Sequence, residues 1–563
     1  MAPGAPGATM TELVFHIDSG PESSNSTIQI HQSWPFGQIE KGSRMSLSRR
    51  DFLMRVGQAG GYGAAFTMMQ SLGLLPVLAS AAPTVDHPAG SGKGTSVVIL
   101  GGGIAGLSSA YELGKLGYTC TLLEARERVG GRNWTVRNGT KVDFTNGFTQ
   151  NCVFGEGLYQ NVGPARLPSV HKTMLGYCRE LGVPLEVEVN ASRSAYLQAN
   201  TLEGGKSVQN RQVQFDTRGH VSELLAKCIQ RGALDQELSH EDKEQMVEFL
   251  KQYGDLSPDL FYKGSSRAGY KINPGAGDTE GVPHDPLDMR ALLSAHLWRE
   301  LMEEDEIDWQ ATMFQPVGGM DQIPMAFKKK LGTVIRQPAE VVQIRQNESG
   351  VKVVYRDGVT GKHETVSADY CICALPLTVL KTMDTDFSPE LKAVIDGCSY
   401  DSAYKIAWES RRFWEQECNI YGGISFLRQP VDTVWYPSAK LFSETGIILG
   451  GYGIENGSEF GRLPGPEAKL AASRRSIELL HPGRSQELKN PIYVSWGHIP
   501  YNLGSWVSGF ETGAPAGYEL WIQPQGRVYM AGDHTSHIVG WQEGAALSAH
   551  RAIDMIATRV AKG

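Results

Sequence analysis

The sequence has no strong charge of either sign. Its 53 Lys and Arg against 61 Asp and Glu leave a net charge of −8 over 563 residues. Nothing in it suggests a nucleic-acid surface, which needs clustered Lys and Arg. Cysteine is sparse too, with eight scattered residues. Cys371 and Cys373 lie on one apparent strand and point to the same face. No second pair or histidine cluster completes a zinc pattern, so they read as core cysteines and no metal is expected. No spacing demands a disulfide. Nor is there an uninterrupted apolar run. Val56 to Ala79 has the length of a membrane span but holds many glycines and a proline, so no stable membrane insertion is expected.

What is present centres on Ser96 to Arg132, SVVILGGGIAGLSSAYELGKLGYTCTLLEARERVGGR. Val97 to Leu100 are continuously apolar, as in a strand buried on both faces. Gly101, Gly103 and Gly106 follow in a G-x-G-x-x-G pattern. Ile104, Leu107, Ala110, Leu113 and Leu116 then recur at helical spacing. Thr119 to Leu123 form a second strand, ending in Glu124. Each part has a physical task. Gly101 permits the tight turn, Gly103 lets a pyrophosphate approach the backbone, and Gly106 lets helix and strand pack closely. The helix N-terminus offers free N–H groups to phosphate. Glu124 can accept from ribose hydroxyls and would repel a 2′-phosphate, which disfavours NADP. Glycine-rich turns occur without ligands, but strand, turn, helix, strand and acid together indicate a dinucleotide.

The residues that follow choose the dinucleotide. GGGIAGLSSAYEL…LLEARERVGGR resembles the opening of the flavin amine oxidase family, which holds FAD. Asn161-Val162-Gly163-Pro164-Ala165-Arg166-Leu167-Pro168 resembles the G-P-x-R-L-P segment of its L-amino acid oxidases. Gly318-Gly319-Met320-Asp321 is similar to the family's G-G-M-D turn. Ala531-Gly532-Asp533-His534-Thr535 with Gly540-Trp541-Gln542-Glu543-Gly544-Ala545 resembles its second flavin motif, where many relatives carry Glu at the Asp533 position. The resemblance runs from about residue 95 to 560.

This resemblance implies an α/β fold: a discontinuous Rossmann-like FAD-binding domain, a mixed-sheet substrate domain and an inserted helical domain. FAD-binding parts are expected at 95–140, 314–398 and 521–563, and substrate-binding parts at 141–205 and 399–520. Residues 206–305 read mostly as helices and form the helical domain. Residues 1–45 read as an extended arm. Residues 46–83, with Arg49-Arg50 and a small-residue Ala79-Ser80-Ala81, read either as a twin-arginine export signal or as a retained helix. Export and cytoplasmic residence therefore both stay open. Relatives are commonly dimers or larger, so a homo-oligomer is expected.

The resemblance also assigns roles. The FAD set is Gly101, Gly103, Ile104, Ala105, Gly106, Glu124, Ala125, Gly131, Arg132, Gly163, Pro164, Ala165, Arg166, Val341, Gly532, Asp533, Gly540, Trp541, Gln542 and Ala545. Val341 faces the adenine through its backbone, and Asp533 accepts from the ribityl hydroxyls. Lys405, on a strand otherwise rich in apolar residues, holds a water near flavin N5 and is the catalytic candidate. Arg166 can grip a substrate carboxylate bidentately. Tyr436 is expected to add a second hydrogen bond to that carboxylate. Trp541 and the Gly540 carbonyl form the amino-group side. Some relatives place a histidine shortly before the G-G-M-D turn, where this chain has Met302-Glu303-Glu304-Asp305-Glu306, so no general base is assigned. The implied activity is oxidative deamination of L-amino acids with oxygen, favouring large apolar or aromatic side chains. It gives 2-oxo acid, ammonia and hydrogen peroxide. An amino-acid 2-monooxygenase of the tryptophan type and a non-catalytic amino-acid-binding flavoprotein remain as alternatives.

Overall fold

Val98, Ile99 and Leu100 have no solvent exposure, and their alternate side chains enter two different cores. Val97 and Ile99 join Ile104, Leu107 and Ala110 on one face, while Val98 and Leu100 join Cys371, Cys373 and Val528 on the other. A strand with two apolar faces must lie inside a sheet covered on both sides. The computed structural model, which describes residues 85–510 and 513–562, places it there. The proposed arm and arginine pair, residues 1–83, lie outside the described residues.

Five parallel strands form this sheet, in the order Ile335–Arg336, Thr119–Leu123, Ser96–Leu100, Tyr370–Cys373 and Val528–Met530. The helix Ile104–Lys115 covers one face together with Gln542–Ala561. Ala545, Ala546 and Ala552 of the latter join this core, and small side chains let the two helices approach closely. An antiparallel ribbon of Ala339–Gln346, Val351–Asp357 and His363–Ala368 lies against the other face.

A second, seven-stranded sheet is mostly antiparallel and gathers Val208–Gln209, Tyr196–Gln198, Ile424–Leu427, Thr433–Trp435, Thr445–Ile454, Ala403–Arg411 and Lys489–Ser495. Its strands come from both sides of the helical insertion. Residues 206–305 contain the helices Asn210–Gln230, His240–Gly254, Met289–Ala295 and Trp298–Leu301. Between the second and third the chain is largely irregular, with one short ribbon, Tyr270–Ile272 on Val282–Pro283. Buried Asp216 fastens this stretch by accepting from Leu287 N at 2.8 Å and Tyr262 Oη at 2.5 Å. Residues 133–161 form two hairpin-like pairs, Thr135–Arg137 on Tyr159–Asn161 and Lys141–Asp143 on Thr149–Asn151. Met313–Pro316 pairs with Leu167–Pro168 and Leu185–Glu188 in a small sheet of its own. All eight cysteines are free thiols.

Candidate active site

The third glycine of the loop is a packing requirement. A Cβ on Gly106 would lie 1.9 Å from the Gly101 carbonyl oxygen. Gly101 itself has φ +94°, a turn geometry that glycine adopts without strain. A Cβ on Gly103 would meet nothing within 4 Å, because the residue faces open space. Gly103 and Trp541 are the N-caps of the two core helices, and neither helix start is capped by a side chain. Their first N–H groups and positive dipole ends thus remain available to an anionic ligand. Glu124, at the end of the second strand, accepts from Gly102 N at 2.7 Å and Arg126 N at 2.9 Å. It therefore fixes the glycine loop while lining the cavity in front of it.

That cavity has a volume of about 340 Å³. It gathers every residue assigned from sequence except Gly106, which packs behind the loop, and Tyr436. Its far end is built around Arg166. Arg166 is 6% exposed, and its Nε and Nη1 are buried with no hydrogen-bond partner. Three indoles surround it, with ring centroids 4.0 Å (Trp309), 4.4 Å (Trp435) and 5.8 Å (Trp541) away. Burial lowers its pKa, and the carboxylates of Glu188 and Glu303 offset part of that. Burying an unpaired cation is costly unless a partner arrives, so the two free nitrogens mark a place for an anionic group.

Lys405 lies in the same cavity, on Ala403–Arg411, opposite Tyr452 in the neighbouring strand. Its Nζ donates to Asn161 O at 2.9 Å and Gly163 O at 2.5 Å. Two of an ammonium's three N–H groups are thereby used. Burial, reinforced by Arg166, pushes its pKa down to about 7. Asp533 forms a two-pronged ion pair with Arg132, one arm being Nη1 to Oδ2 at 2.9 Å, and also accepts from Gly540 N at 3.0 Å. Burial would raise its pKa, but the charge and hydrogen bonds of Arg132 hold it below the usual carboxylate range.

A model of flavin containing amine oxidoreductases matches residues 104–556. The chain belongs to the flavin containing amine oxidoreductase family. Among curated relatives it is 26% identical over 473 residues to an L-amino-acid oxidase of Pseudechis australis, covering 82% of this chain and 86% of that one. It is 27% identical over 469 residues to a putative L-amino-acid oxidase of Bacillus subtilis (strain 168), covering 81% and 93%. Among solved structures it shares the fold of a putrescine oxidase bound to putrescine, at TM-score 0.55 and 19% identity over 82% of this chain and 99% of that one. Cyclohexylamine oxidase from Brevibacterium oxydans IH-35A matches at TM-score 0.54 and 16% identity, covering 83% and 99%.

The cofactor of this flavin amine oxidoreductase is FAD, and the cavity fits it. The glycine loop and helix start suit the pyrophosphate, Glu124 the ribose, and the second uncapped helix start the flavin edge.

Tyr436 is not in the cavity, contrary to the sequence reading. Its Oη bonds Ser425 Oγ at 2.8 Å and His481 Nε2 at 2.7 Å inside the second sheet's core. Its neighbour Trp435 lines the cavity instead. Asp533 does line the cavity, but as the counter-charge of Arg132 rather than as a free acceptor. Sequence reasoning also passed over Trp309 and Tyr452, both on the cavity wall. Tyr452 had a usable signal, since it lies on the strand-like run that follows TVWYP. Trp309 had none, because it sits in an irregular stretch after an acidic segment. In that segment Glu303 has its pKa pushed up to about 7 by burial, with Arg166 pulling the other way. His171 lies behind the site, edge-on to Trp541 at 5.0 Å, with Nε2 3.0 Å from Asp308 Oδ1.

Proposed function

We propose that this flavin amine oxidoreductase is an L-amino acid oxidase. One observation carries the reading: a buried guanidinium with two unpartnered nitrogens, Arg166, lies in the same cavity as the dinucleotide cradle. A planar carboxylate matches that fork bidentately. A substrate with only amino groups would meet a buried positive charge there.

The chain's residues then have defined tasks. Arg166 holds the carboxylate, which fixes two points of a small substrate and aims Cα. The indoles of Trp309, Trp435 and Trp541 exclude water and favour apolar or aromatic side chains. Gly540 and Trp541 form the amino side, where the low-polarity wall favours the neutral amine. Lys405, with a pKa of about 7, carries its proton at Nζ in the cavity below that pH and is free to accept one above it. When bound, FAD supplies the two-electron acceptor for the Cα–H hydride and the route of those electrons to oxygen. The released imino acid hydrolyses in water to a 2-oxo acid and ammonia.

The test is peroxide formation and oxygen uptake across the twenty L-amino acids and several D-amino acids, with product analysis. Peroxide, ammonia and a 2-oxo acid from L-substrates are expected. Formation of an amide with carbon dioxide would make the enzyme a monooxygenase. Flavin that stays oxidised under every amino acid in anaerobic mixing would remove the catalytic reading.

A further inference from the structure

A second, smaller cavity of about 90 Å³ lies behind the substrate end of the first and shares Ala165 and Trp435 with it. Its lining runs from exposed Gly157 and Lys440 inward to Glu188. Glu188 closes the strand Leu185–Glu188, held in register by Met313. As a residue it is half-buried, but Oε2 is fully buried and has no hydrogen-bond partner. The cations whose charge acts on it belong to the substrate site. Arg166 and Lys405 are the charges that act on it, and it acts on both in return.

The other charged neighbours are committed. Arg412 is paired with Glu415 through Nε at 2.7 Å, and Lys440 Nζ donates to Gly157 O at 2.5 Å. Glu186 accepts from Gln315 at 3.0 Å. Glu303 is acted on by Arg166 and not by Glu188, and Tyr436 is tied to Ser425 and His481. Burial pushes the Glu188 pKa up to about 7, against the lowering pull of Arg166 and Lys405. Two cations and one carboxylate thus act on one another across a buried region, and the carboxylate lines a cavity that reaches exposed Gly157 and Lys440.

We propose that Glu188 is a positioning residue for the Arg166–Lys405 pair: a counter-charge behind the substrate site that takes up a proton through the rear cavity as a substrate carboxylate binds. The reason is electrostatic. A carboxylate arriving at Arg166 cancels the positive charge that keeps Glu188 ionised and adds a negative charge nearby. Both changes favour the protonated acid. Glu188 and Lys405 titrate as a coupled pair, so the uptake belongs to the pair. Glu188 sets its pH, because its negative charge opposes the lowering of the Lys405 pKa by burial and Arg166.

This inference rests on the carboxylate-binding reading of Arg166. The probe is 3-phenylpropanoate, which has a carboxylate and no amine to oxidise. Its binding to the FAD-loaded enzyme is measured by calorimetry in buffers of different ionisation enthalpy, from pH 6 to 8.5. Wild type should take up roughly half a proton near pH 7.5. Glu188→Gln should move the uptake maximum at least about one pH unit lower, because Lys405 then faces Arg166 alone. Glu188→Asp, the conservative variant, should keep the wild-type maximum and shows that the site tolerates substitution. Proton-neutral binding by wild type, or an unchanged profile in Glu188→Gln, overturns the inference and leaves the substrate reading intact. Failure of wild type to bind 3-phenylpropanoate while it binds 2-phenylethylamine overturns both.

Discussion

The guanidinium of Arg166 lies 4.0 Å from the centroid of the Trp309 ring, with Trp435 at 4.4 Å. The two indoles stabilise the cation while its Nε and Nη1 stay without a partner. Desolvated cation–π contacts contribute about 2 kcal/mol each. Trp309→Leu or Trp435→Leu should therefore raise KM for amino acids about tenfold or more, while the flavin absorbance of the purified enzyme stays unchanged. Unchanged KM in both variants would mean that the indoles do not shape the cation's site.

Lys405 gives a pH signature. Its pKa near 7 leaves it cationic below that value and neutral above. A step helped by the cation, such as the reaction with oxygen, should weaken as pH rises through 7. Lys405→Met should flatten that profile and lower kcat/KM for oxygen on the order of 10²-fold. Stopped-flow reoxidation from pH 6 to 9 measures both. A Lys405→Met profile that still bends near pH 7 would assign the titration to its coupled partner Glu188.

Two glycines in one helix make opposite expectations. Gly106→Ala places a Cβ 1.9 Å from a backbone oxygen that cannot move freely. It should cost about 1–3 kcal/mol and lower FAD content. Gly114→Ala meets nothing within 4 Å and should stabilise by about 0.5–1 kcal/mol. Thermal unfolding and the flavin-to-protein absorbance ratio separate them.

Tyr436→Phe tests the reassignment of that residue. Losing the bonds to Ser425 and His481 should cost about 1–3 kcal/mol of stability. Kinetics for amino acids should stay within about twofold, since no transition-state contact is lost. A large rise in KM at constant stability would return Tyr436 to the substrate.

The contrast between Trp435 and Tyr436 shows where sequence reading stops. The glycine loop, Glu124, the G-P-A-R-L-P segment and the second motif are legible because their tasks are local: turn, helix start, strand end. Thr433–Trp435 is only three residues long and ends before Pro437, so alternation cannot say which of two adjacent aromatics faces the site. Glu188 is harder still. It matters only because Met313–Pro316, far along the chain, sets its strand beside the site. Trp309 reaches the cavity from an irregular stretch that carries no period to read.

The most direct measurement compares L-phenylalanine with 2-phenylethylamine, which differs by the carboxylate alone, in wild type and Arg166→Met. If Arg166 grips the carboxylate, wild type should prefer the amino acid by on the order of 10²-fold or more in kcat/KM, and Arg166→Met should erase most of that preference. Equal turnover of both compounds by wild type, or a preference that survives in Arg166→Met, would contradict it.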